Sequence, residues 1–460
     1  MIETTADVLI VGTGQAGVPL ATRLVAAGKS VVIFERGPLG GTCVNDGCTP
    51  TKTMVASARA AHVARSASRL GVEVGEVRVD LAAVVDRRDA IVRRWQGGVE
   101  RRLEAAGERL RLVRSAARFV GPRALEAEGR RYRGDVVVLD VGTRPEAPAV
   151  PGLSVTPFLD SAAIQGLRAL PGHLVVLGGG YIGCELGQMF RRFGSAVTII
   201  DREPHLLASE DPDVSEALEG ALRAEGMTLE LGASVDDVRE AESGGAVLRL
   251  AGGKEIAGTH LLVAAGRRPN TDDLGCDAGG VKLDARGFVI TGDDYATSAP
   301  GVYAVGDATG SPQFTNTAWD DHRILFDRLA GRPTRGRADR LIPFAAFTDP
   351  QVAGVGLDEK QARERGIPFE VATMPFGSVA RAIEIDETAG TMKVLFDPTT
   401  ERILGVRIVG AEAGELVHVF VALVQAKASA RAIVDAEFVH PTFAEGLQSL
   451  VMRLERFKLS

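Results

Sequence analysis

The chain has 460 residues, more than a single domain core accommodates, so its length predicts two to four domains. Apolar residues make up 45% and charged residues 25%, and the net charge of −7 comes without a long acidic or basic run, which argues against nucleic acid or a membrane surface as a partner. The N-terminus lacks the pattern of a signal peptide, and no apolar stretch approaches the roughly 18 to 20 residues of a membrane span, so we expect a cytoplasmic protein.

The N-terminal segments alternate between strand and helix patterns. ADVLIVG (6–12) is a short apolar strand, PLATRLVAAG (19–28) carries apolar residues at helical spacing, and SVVIFE (30–35) is the next strand. Together the three segments predict a βαβ unit.

A glycine-rich loop, GTGQAG, joins the first strand to the helix and fits the GxGxxG pattern. Gly12 permits a tight turn, Gly14 lets a pyrophosphate approach the backbone, and Gly17 allows close helix packing. Glu35, 23 residues after Gly12, would accept hydrogen bonds from a ribose hydroxyl. In this context the loop predicts a dinucleotide site, and a bare glycine turn is the alternative.

Two of the four cysteines, Cys43 and Cys48, follow with four residues between them. A regular helix would hold their Cα atoms about 8 Å apart, beyond the roughly 7 Å limit for a disulfide, so the loop must distort to close a bridge. Gly47 can supply the kink. Pro50 predicts a helix only over 51–67, whose N-terminus would stabilise a thiolate at Cys48. A redox-active pair is the favoured interpretation, with zinc ligands or inert buried cysteines as alternatives.

A second βαβ unit follows further along the chain. HLVVLGGG (173–180) and AVTIID (196–201) are strand patterns, and CELGQMFRRFG (184–194) between them is a helix pattern. The chain therefore contains two copies of one module.

The glycines of the second unit repeat the dinucleotide pattern, with Gly178, Gly180 and Gly183 in the three roles. Asp201 closes the second strand and favours the unphosphorylated ribose of NAD(H). Arg202 is adjacent and could accommodate the 2′-phosphate of NADP(H), so NADP(H) is the alternative. The chain is expected to bind two dinucleotides.

Beyond residue 335 the pattern changes to strands separated by turns, with two helical stretches near the end, which predicts an α+β region with an antiparallel sheet. The strand patterns there are VAGVGL, FEVATMPF, TMKVLFD and ILGVRIVG. Proline-rich linker candidates span 144–152 and 330–340. The predicted fold class is α/β, with two Rossmann-like dinucleotide-binding domains and a C-terminal α+β domain.

Seven motifs occur in a fixed order along nearly the whole chain. They are GTGQAG, Glu35, GGTCVNDGCTPTK, GGGYIG, AAGRRPN (264–270), GVYAVGDA (301–308) and HPTFAE (440–445). This order resembles the pyridine nucleotide-disulfide oxidoreductases, the family of lipoamide dehydrogenase, glutathione reductase and mercuric reductase. The resemblance implies FAD in the first module, NAD(P)H in the second, and a homodimer formed through the C-terminal domain. The domains it implies are 1–150 and 271–335 for FAD, 151–270 for NAD(P) and 336–460 for dimerisation.

The resemblance also implies roles for individual residues. Cys43 would be the interchange thiol that attacks the substrate, and Cys48 would lie against the flavin. Lys52 resembles the family lysine near the reactive flavin nitrogen, with Glu185 as its partner, and Asp307 would bind the ribityl chain. Further cofactor positions implied in this way are Gly41, Thr42, Lys52, Ala117 and Gly142 for FAD and Gly266 for NAD(P), and no resident metal is implied.

HPTFAE supplies the predicted acid–base group. A dithiol needs a base to take and return a proton during exchange, and a histidine with a pKa near 6.5 can do both. Glu445, five residues after His440, would hold the imidazole in one tautomer. The resemblance implies that this pair acts across the dimer interface on the partner's cysteines.

Several residues depart from the family pattern. Asp140 and Val141 stand where the family usually has a small residue and a threonine. Thr49 and Thr51 differ from the CIPSK sequence of lipoamide dehydrogenases. Asp46, between the cysteines, would tend to raise the thiol pKa and repel anionic substrates.

The motif PTK and the segment QFTNTAWDDHR (313–323) resemble the mercuric-reductase-like branch, but the printed sequence ends without the cysteine pair that mercuric reductases carry there. We therefore expect an FAD-dependent NAD(P)H oxidoreductase that passes electrons through a Cys43–Cys48 disulfide to a small acceptor. The acceptor would be a disulfide or related thiol compound, a metal ion or a quinone. Alternatives are a lipoamide dehydrogenase, a flavin-linked oxidase or transhydrogenase, and a redox sensor.

Overall fold

The computed structural model describes residues 3–242, 244–454 and 457. The chain forms two compact units, each with its own sheets and core. The first comprises Met1–Thr53, Ala83–Glu146 and Gly266–Arg340, and the second comprises Met54–Ala82, Ala147–Ala265 and Leu341–Ser460. The division into three domains, with the FAD domain in two segments, that the family resemblance implies stays a prediction.

The described residues form both strands and α-helices. The strands are β1 Glu3–Val11, β2 Val31–Phe34, β3 Leu110–Val113, β4 Arg118–Gly121, β5 Ala124–Ala127, β6 Arg130–Leu139, β7 Thr143–Pro145, β8 His173–Leu177, β9 Ala196–Asp201, β10 Thr228–Leu231, β11 Val235–Glu240, β12 Ala246–Leu250, β13 Glu255–Gly258, β14 His260–Val263, β15 Arg267–Pro269, β16 Val302–Ala304, β17 Phe344–Ala346, β18 Gln351–Gly356, β19 Glu370–Pro375, β20 Thr391–Phe396 and β21 Ile403–Gly410.

The α-helices are α1 Gly17–Ala26, α2 Gly41–Asn45, α3 Cys48–Ser66, α4 Leu81–Glu104, α5 Tyr181–Phe193, α6 Pro212–Ala224, α7 Cys276–Gly279, α8 Thr315–Leu329, α9 Glu359–Glu364, α10 Ala380–Glu384, α11 Ala413–Gln425, α12 Arg431–Val434 and α13 Glu445–Val451. Short 3₁₀ segments span Ala67–Leu70, Leu153–Val155, Ala163–Gly166, Gly306–Thr309 and Phe376–Ser378. In the part of the chain that the structure describes, no helix combines the length and the apolar character needed to cross a membrane.

The first unit contains the first predicted βαβ unit. β1 pairs in parallel with β2 and β6, β2 pairs with β3, and β16 pairs with β6. β5 and β4 extend the sheet antiparallel, which gives the order β3-β2-β1-β6-β5-β4. The GTGQAG loop lies at the carboxyl ends of the parallel strands, where open α/β sheets bind their ligands.

Helix α1 follows the apolar spacing of its sequence. It buries Val18, Leu20 and Leu24 in a cluster with residues of the parallel strands. It begins at Gly17, two residues before the predicted start. The chain leaves the helix through Gly28, whose φ of 86° is the left-handed conformation that terminates helices and favours glycine.

The second unit contains the second predicted βαβ unit. Its parallel sheet has the order β10-β9-β8-β14, and α5 connects β8 to β9. β9 has the predicted bounds, whereas α5 begins at Tyr181, three residues earlier than predicted. The strands β11, β12 and β13 form a separate antiparallel sheet in this unit.

The C-terminal region of the second unit is the predicted antiparallel α+β structure. Five strands pair in the order β17-β18-β21-β20-β19, and they include all four predicted strands. α11 and α13 bury Phe420 and Leu447 against this sheet in one apolar cluster. The predicted α/β fold class is therefore confirmed, and β17 is the strand that the sequence pattern missed.

Both proline-rich linker candidates contain ordered structure. Residues Thr143–Pro145 form β7, which pairs antiparallel with β15, so the first candidate begins inside a small sheet. In the second, the guanidinium of Arg340 is 3% exposed and forms an ion pair with Asp321. These segments are therefore anchored by specific contacts, which their composition did not predict.

A buried ion cluster stabilises the second unit. Lys393 on β20 is 1% exposed, and its ammonium lies 2.7 Å from Asp211, 2.6 Å from Asp213 and 3.1 Å from Glu359. Asp211 is itself 5% exposed. Removal of one partner from such a group leaves an uncompensated buried charge.

We expect Lys393→Met to lower the free energy of unfolding by about 3 kcal/mol, because Asp211 would keep its charge without its cation. The measurement is the free energy of unfolding from the first transition of a urea titration. Lys254→Met is the control, since Lys254 is 60% exposed in its pair with Glu230 and such pairs contribute about 0 to 1 kcal/mol. Equal losses in the two variants would contradict the prediction.

Candidate active site

The first dinucleotide loop has the backbone geometry that its glycines require. Gly12 has a φ of 107°, and a Cβ there would lie 2.1 Å from the carbonyl oxygen of Asp140, so only glycine fits. Glu35 accepts hydrogen bonds from the amide and hydroxyl of Thr13, at 3.0 Å and 2.6 Å. The loop and the acidic residue at the end of β2 are thus brought together as the spacing predicted.

The other positions proposed for FAD lie in the same unit. Gly41 opens the short helix α2 and approaches the loop, since a Cβ on it would lie 2.9 Å from the Cα of Gly14. Thr42 is exposed, and Ala117 is buried just before β4. A Cβ on Gly142 would meet nothing within 4 Å, so the backbone there faces open space that a ligand could occupy.

Asp307 lies in a small polar cluster of this unit. Its carboxylate accepts a hydrogen bond from the hydroxyl of Thr143 at 3.1 Å. Arg267 in turn donates to the hydroxyl and the carbonyl oxygen of Thr143, both at 2.9 Å. Burial raises the pKa of Asp307, while the Arg267 charge and the Thr143 hydrogen bond act in the opposite direction.

The second dinucleotide loop repeats the geometry of the first. Gly178 has a φ of 116°, and a Cβ there would lie 2.5 Å from the carbonyl oxygen of Ala264. A Cβ on Gly183 would lie 1.9 Å from the carbonyl oxygen of Gly178, whereas one on Gly180 would meet nothing within 4 Å. The loop is closely packed on one side and open on the other, which fits a dinucleotide.

The two residues predicted to discriminate between NAD(H) and NADP(H) differ in their surroundings. The Asp201 carboxylate accepts hydrogen bonds from the amides of Gly179 and Glu203 and is held beside the loop. Arg202 is 82% exposed and lies 3.4 Å from the carboxylate of Glu203. Gly266, the remaining nucleotide position, precedes β15 and belongs to the first unit.

The two cysteines of the loop are not joined by a disulfide, and their thiols lie within hydrogen-bonding reach of each other. Cys43 is in α2, Cys48 is the first residue of α3, and the helices are separated by a break at 46–47. A hydrogen bond with Cys48, followed by burial, raises the pKa of Cys43, while Thr315 and Lys52 lower it. Because the two thiols interact, they titrate as a pair.

The start of α3 corrects one prediction. The sequence interpretation placed Pro50 before the helix, but α3 begins at Cys48 and includes Pro50 in its first turn. Proline is tolerated there because the first amides of a helix have no partner within it. The thiol of Cys48 therefore lies at the helix N-terminus itself, where the helix dipole favours a thiolate.

Thr315 is a site residue that the sequence interpretation missed. Its hydroxyl lies 3.2 Å from the sulfur of Cys48, and it is the first residue of the 15-residue helix α8. The N-termini of α3 and α8 thus meet at the thiol pair, and both favour negative charge there. A Thr at the start of a helix pattern was the available signal, but 267 residues separate it from Cys48.

The predicted dyad is formed in the second unit. The Nδ1 of His440 lies 2.8 Å and 3.1 Å from the two carboxylate oxygens of Glu445, which opens α13. The His440 side chain is 72% exposed in the single chain. With Nδ1 held by the carboxylate, Nε2 is the ring nitrogen that can exchange a proton with a substrate.

The predicted Lys52–Glu185 pair joins residues of different units, so the pairing stays a prediction. Glu185 is 6% exposed and accepts a hydrogen bond from the Phe347 amide at 2.8 Å. Lys52 lies in the second turn of α3, and its charge lowers the pKa of Cys43. No cluster of three or more metal-ligating side chains is found among the described residues.

Comparisons with known proteins show which family the chain is similar to. Residues 6–321 match the pyridine nucleotide-disulphide oxidoreductase family, and residues 342–451 match its dimerisation domain. The mercuric reductase of Lysinibacillus sphaericus is 33% identical over 463 residues, covering 100% of this chain and 84% of that enzyme. The dihydrolipoyl dehydrogenase of Thermus scotoductus is 34% identical over 461 residues, covering 98% of each chain.

A solved structure shares the fold along nearly the whole chain. It is the Cu(II) complex of the HOCl-induced flavoprotein disulfide reductase RclA from Escherichia coli, with a TM-score of 0.89 and 30% identity. The match covers 98% of this chain and 100% of that one.

The chain therefore belongs to the pyridine nucleotide-disulfide oxidoreductase family, as the order of its motifs predicted. Members of this family are enzymes that use FAD and a pyridine nucleotide. The matched dimerisation domain indicates a homodimer. The open backbone at Gly142 and Gly180, beside the two glycine loops, fits the two dinucleotides that the family uses.

We expect Thr315→Val to raise the pH midpoint of alkylation of the thiol pair by about one unit, because a hydrogen bond to a charged group contributes about 1.5 kcal/mol and one pKa unit equals about 1.4 kcal/mol. The measurement is the rate of iodoacetamide labelling against pH. Cys276 does not interfere, since burial raises its pKa to about 11.

Thr315→Ser is the matched control, because it keeps the hydroxyl and removes only a methyl group. It should retain the wild-type midpoint. Identical midpoints for the valine and serine variants would show that the hydroxyl does not act on the thiols.

Proposed function

We propose that this chain is a homodimeric NAD(P)H oxidoreductase that reduces a Cys43–Cys48 disulfide and passes two electrons to a small acceptor. The observation that carries the proposal is the thiol pair itself, held within hydrogen-bond distance at the start of α3. FAD, when bound, supplies two-electron transfer between the nucleotide and the disulfide. The family relationship supports both cofactors.

The acceptor reaction that fits the pair best is disulfide exchange. The Cys43 thiolate attacks one sulfur of an acceptor disulfide, which forms a mixed disulfide and releases one acceptor thiolate. Cys48 then attacks Cys43, which re-forms the protein disulfide and releases the second acceptor thiolate. The two protons of the dithiol leave with the two acceptor thiols, so electrons and atoms balance.

A base is needed because Cys43 retains its proton beside Cys48. We assign this role to His440, whose Nδ1 is held by Glu445. The dyad is exposed in one chain and is proposed to act on the thiols of the other subunit. The dimerisation domain supports this arrangement, since it spans both residues of the dyad.

Cu(II) reduction is a second candidate function. Its support is the similarity to RclA, which has been solved as a Cu(II) complex, together with the preference of thiolates for soft metal ions. In this reaction the dithiol would give one electron to each of two Cu(II) ions, which become Cu(I), and it would become the disulfide with release of its two protons. Lipoamide is a further acceptor suggested by the dihydrolipoyl dehydrogenase relatives.

For the nucleotide we propose a preference for NADH over NADPH. Asp201 is held by two amides next to the loop, where its charge opposes a 2′-phosphate. Arg202 extends into solvent and pairs with Glu203, which weakens its attraction for the 2′-phosphate of NADPH.

We expect Cys43→Ser to lower acceptor turnover roughly a thousandfold or more, because serine cannot form the disulfide, while NADH still reduces the flavin at about the wild-type rate. The measurement is NADH oxidation with small disulfides, lipoamide, Cu(II), Hg(II) and quinones, beside stopped-flow flavin reduction. Cys276→Ala is the control and should turn over normally, because that thiol packs in the core.

Full acceptor turnover by Cys43→Ser would contradict electron transfer through the Cys43–Cys48 pair. Rapid NADH oxidation by oxygen in a variant lacking both Cys43 and Cys48 would instead favour a flavin-linked oxidase. The acceptor used at the highest kcat/KM by the wild-type protein separates disulfide exchange from metal reduction.

We expect Asp201→Asn to shift the ratio of kcat/KM for NADH over NADPH by about tenfold towards NADPH, which corresponds to about 1.4 kcal/mol. The asparagine side chain has one acceptor oxygen, so it removes the negative charge together with one of the two backbone hydrogen bonds, from Gly179 or from Glu203. Arg202→Ala should shift the ratio the other way. An unchanged ratio in both variants would assign nucleotide choice to other residues.

A further inference from the structure

A buried carboxylate lies beneath the first dinucleotide loop. Asp140 directly follows β6, and its side chain is 7% exposed. A Cβ on Gly14 or Gly17 would lie 2.7 Å or 2.9 Å from its Oδ2, and one on Gly306 would lie 3.1 Å from its Oδ1. The carboxylate therefore fills the space between the GTGQAG loop and the GDA segment.

The loop geometry itself does not require an acid at this place. In the second module the corresponding contact is made by Ala264, whose carbonyl oxygen faces Gly178 as that of Asp140 faces Gly12. Both loops thus have the same backbone contact. Only in the first does the residue that makes this contact, Asp140, carry a carboxylate. The side chain of Asp140 is therefore not needed to form the loop.

Among the described residues, the side chain of Asp140 has one hydrogen-bond partner, the amide of Gly17 at the start of α1, at 2.7 Å. Within the described residues no lysine or arginine forms an ion pair with it. The charged groups around it are carboxylates on three other elements, namely Glu35 after β2, Asp307 in the 3₁₀ segment and Asp321 on α8. Burial, followed by these charges, raises the pKa of Asp140 well above the ordinary value, against the effect of the Gly17 amide.

The nearby cations are committed to other groups. Arg340 pairs with Asp321, which also accepts hydrogen bonds from the hydroxyl of Tyr295 and the amide of Gly306 at 2.7 Å each. Arg267 is bonded to Thr143 beside Asp307. The charge of an ionised Asp140 would thus be offset mainly by the N-terminus of α1.

The same helix N-terminus is the group that a pyrophosphate uses in loops of this type. We infer that Asp140 makes FAD binding proton-linked in this chain: the carboxyl binds a proton as FAD binds, and affinity for FAD falls as pH rises. This rests on the proposal that FAD occupies the first loop. A protonated Asp140 keeps one oxygen as an acceptor for the Gly17 amide and adds no negative charge beneath the pyrophosphate.

The direction of the pH effect on FAD binding follows from the linkage between FAD binding and protonation of Asp140. Two negative charges of a pyrophosphate near Asp140 favour its neutral form, so its pKa is higher in the FAD-bound protein than in the free protein. Between these two pKa values one proton is taken up for each FAD bound, and the dissociation constant rises about tenfold per pH unit. Below the lower value the constant does not depend on this group.

The experiment titrates flavin-free protein with FAD, followed by flavin fluorescence, across the pH range in which the chain stays folded. Calorimetry in two buffers of different ionisation enthalpy gives the protons taken up. The wild-type constant should rise with pH with uptake of up to one proton. Asp140→Asn, which keeps an acceptor for Gly17, should bind FAD with a nearly constant affinity and more tightly than wild type at high pH. Asp273→Asn, an exposed control in the same unit, should behave as wild type.

FAD binding by the wild-type protein without proton uptake, or the same pH dependence in Asp140→Asn, would overturn this inference and leave the proposed function intact. No FAD binding by any variant at any pH would contradict the proposed function and this inference with it. The proton count is measured on the wild-type protein, so the test stands even if the asparagine variant fails to fold.

Discussion

The break between α2 and α3 is the constraint on which the chemistry of this chain depends. A continuous helix would hold Cys43 and Cys48 about 8 Å apart, too far for a bond between their sulfurs. Because the chain turns at 46–47, the two thiols come within one hydrogen bond of each other, and Cys48 becomes the first residue of a long helix. One turn of backbone thus brings the thiols as close as the proposed disulfide requires and places Cys48 where a thiolate is stabilised.

Charge is distributed unevenly over the two dinucleotide modules. Around the first loop the carboxylates of Glu35, Asp140 and Asp307 gather near the N-terminus of a single helix. The second loop has Asp201 at its rim and the small Ala264 beneath it. The two loops share the same backbone contact at their first glycine, and they differ in the number of carboxylates near the place where a pyrophosphate would bind.

Local patterns predicted the fold well because each depends on neighbours in sequence. Apolar spacing predicted β9 at its observed bounds and α1 within two residues, and the glycine pattern predicted both loops. The predicted start of α3 was wrong at Pro50, because a proline ends a helix in its interior but is tolerated in its first turn. The contact between Thr315 and Cys48 and the pairing of β7 with β15 join distant segments. No local pattern encodes such contacts.

The exposure of the dyad connects catalysis to assembly. The imidazole of His440 is oriented because Glu445 holds its Nδ1. Its side chain is 72% exposed in the single chain, so water has access to Nε2. The Cys48 hydrogen bond and burial raise the pKa of Cys43, so in the proposed mechanism the thiol pair would need a base. If each subunit supplies its dyad to the thiols of the other, as proposed, closing the dimer satisfies both needs at once. Acceptor selectivity would then reside in the surface that the two subunits form together.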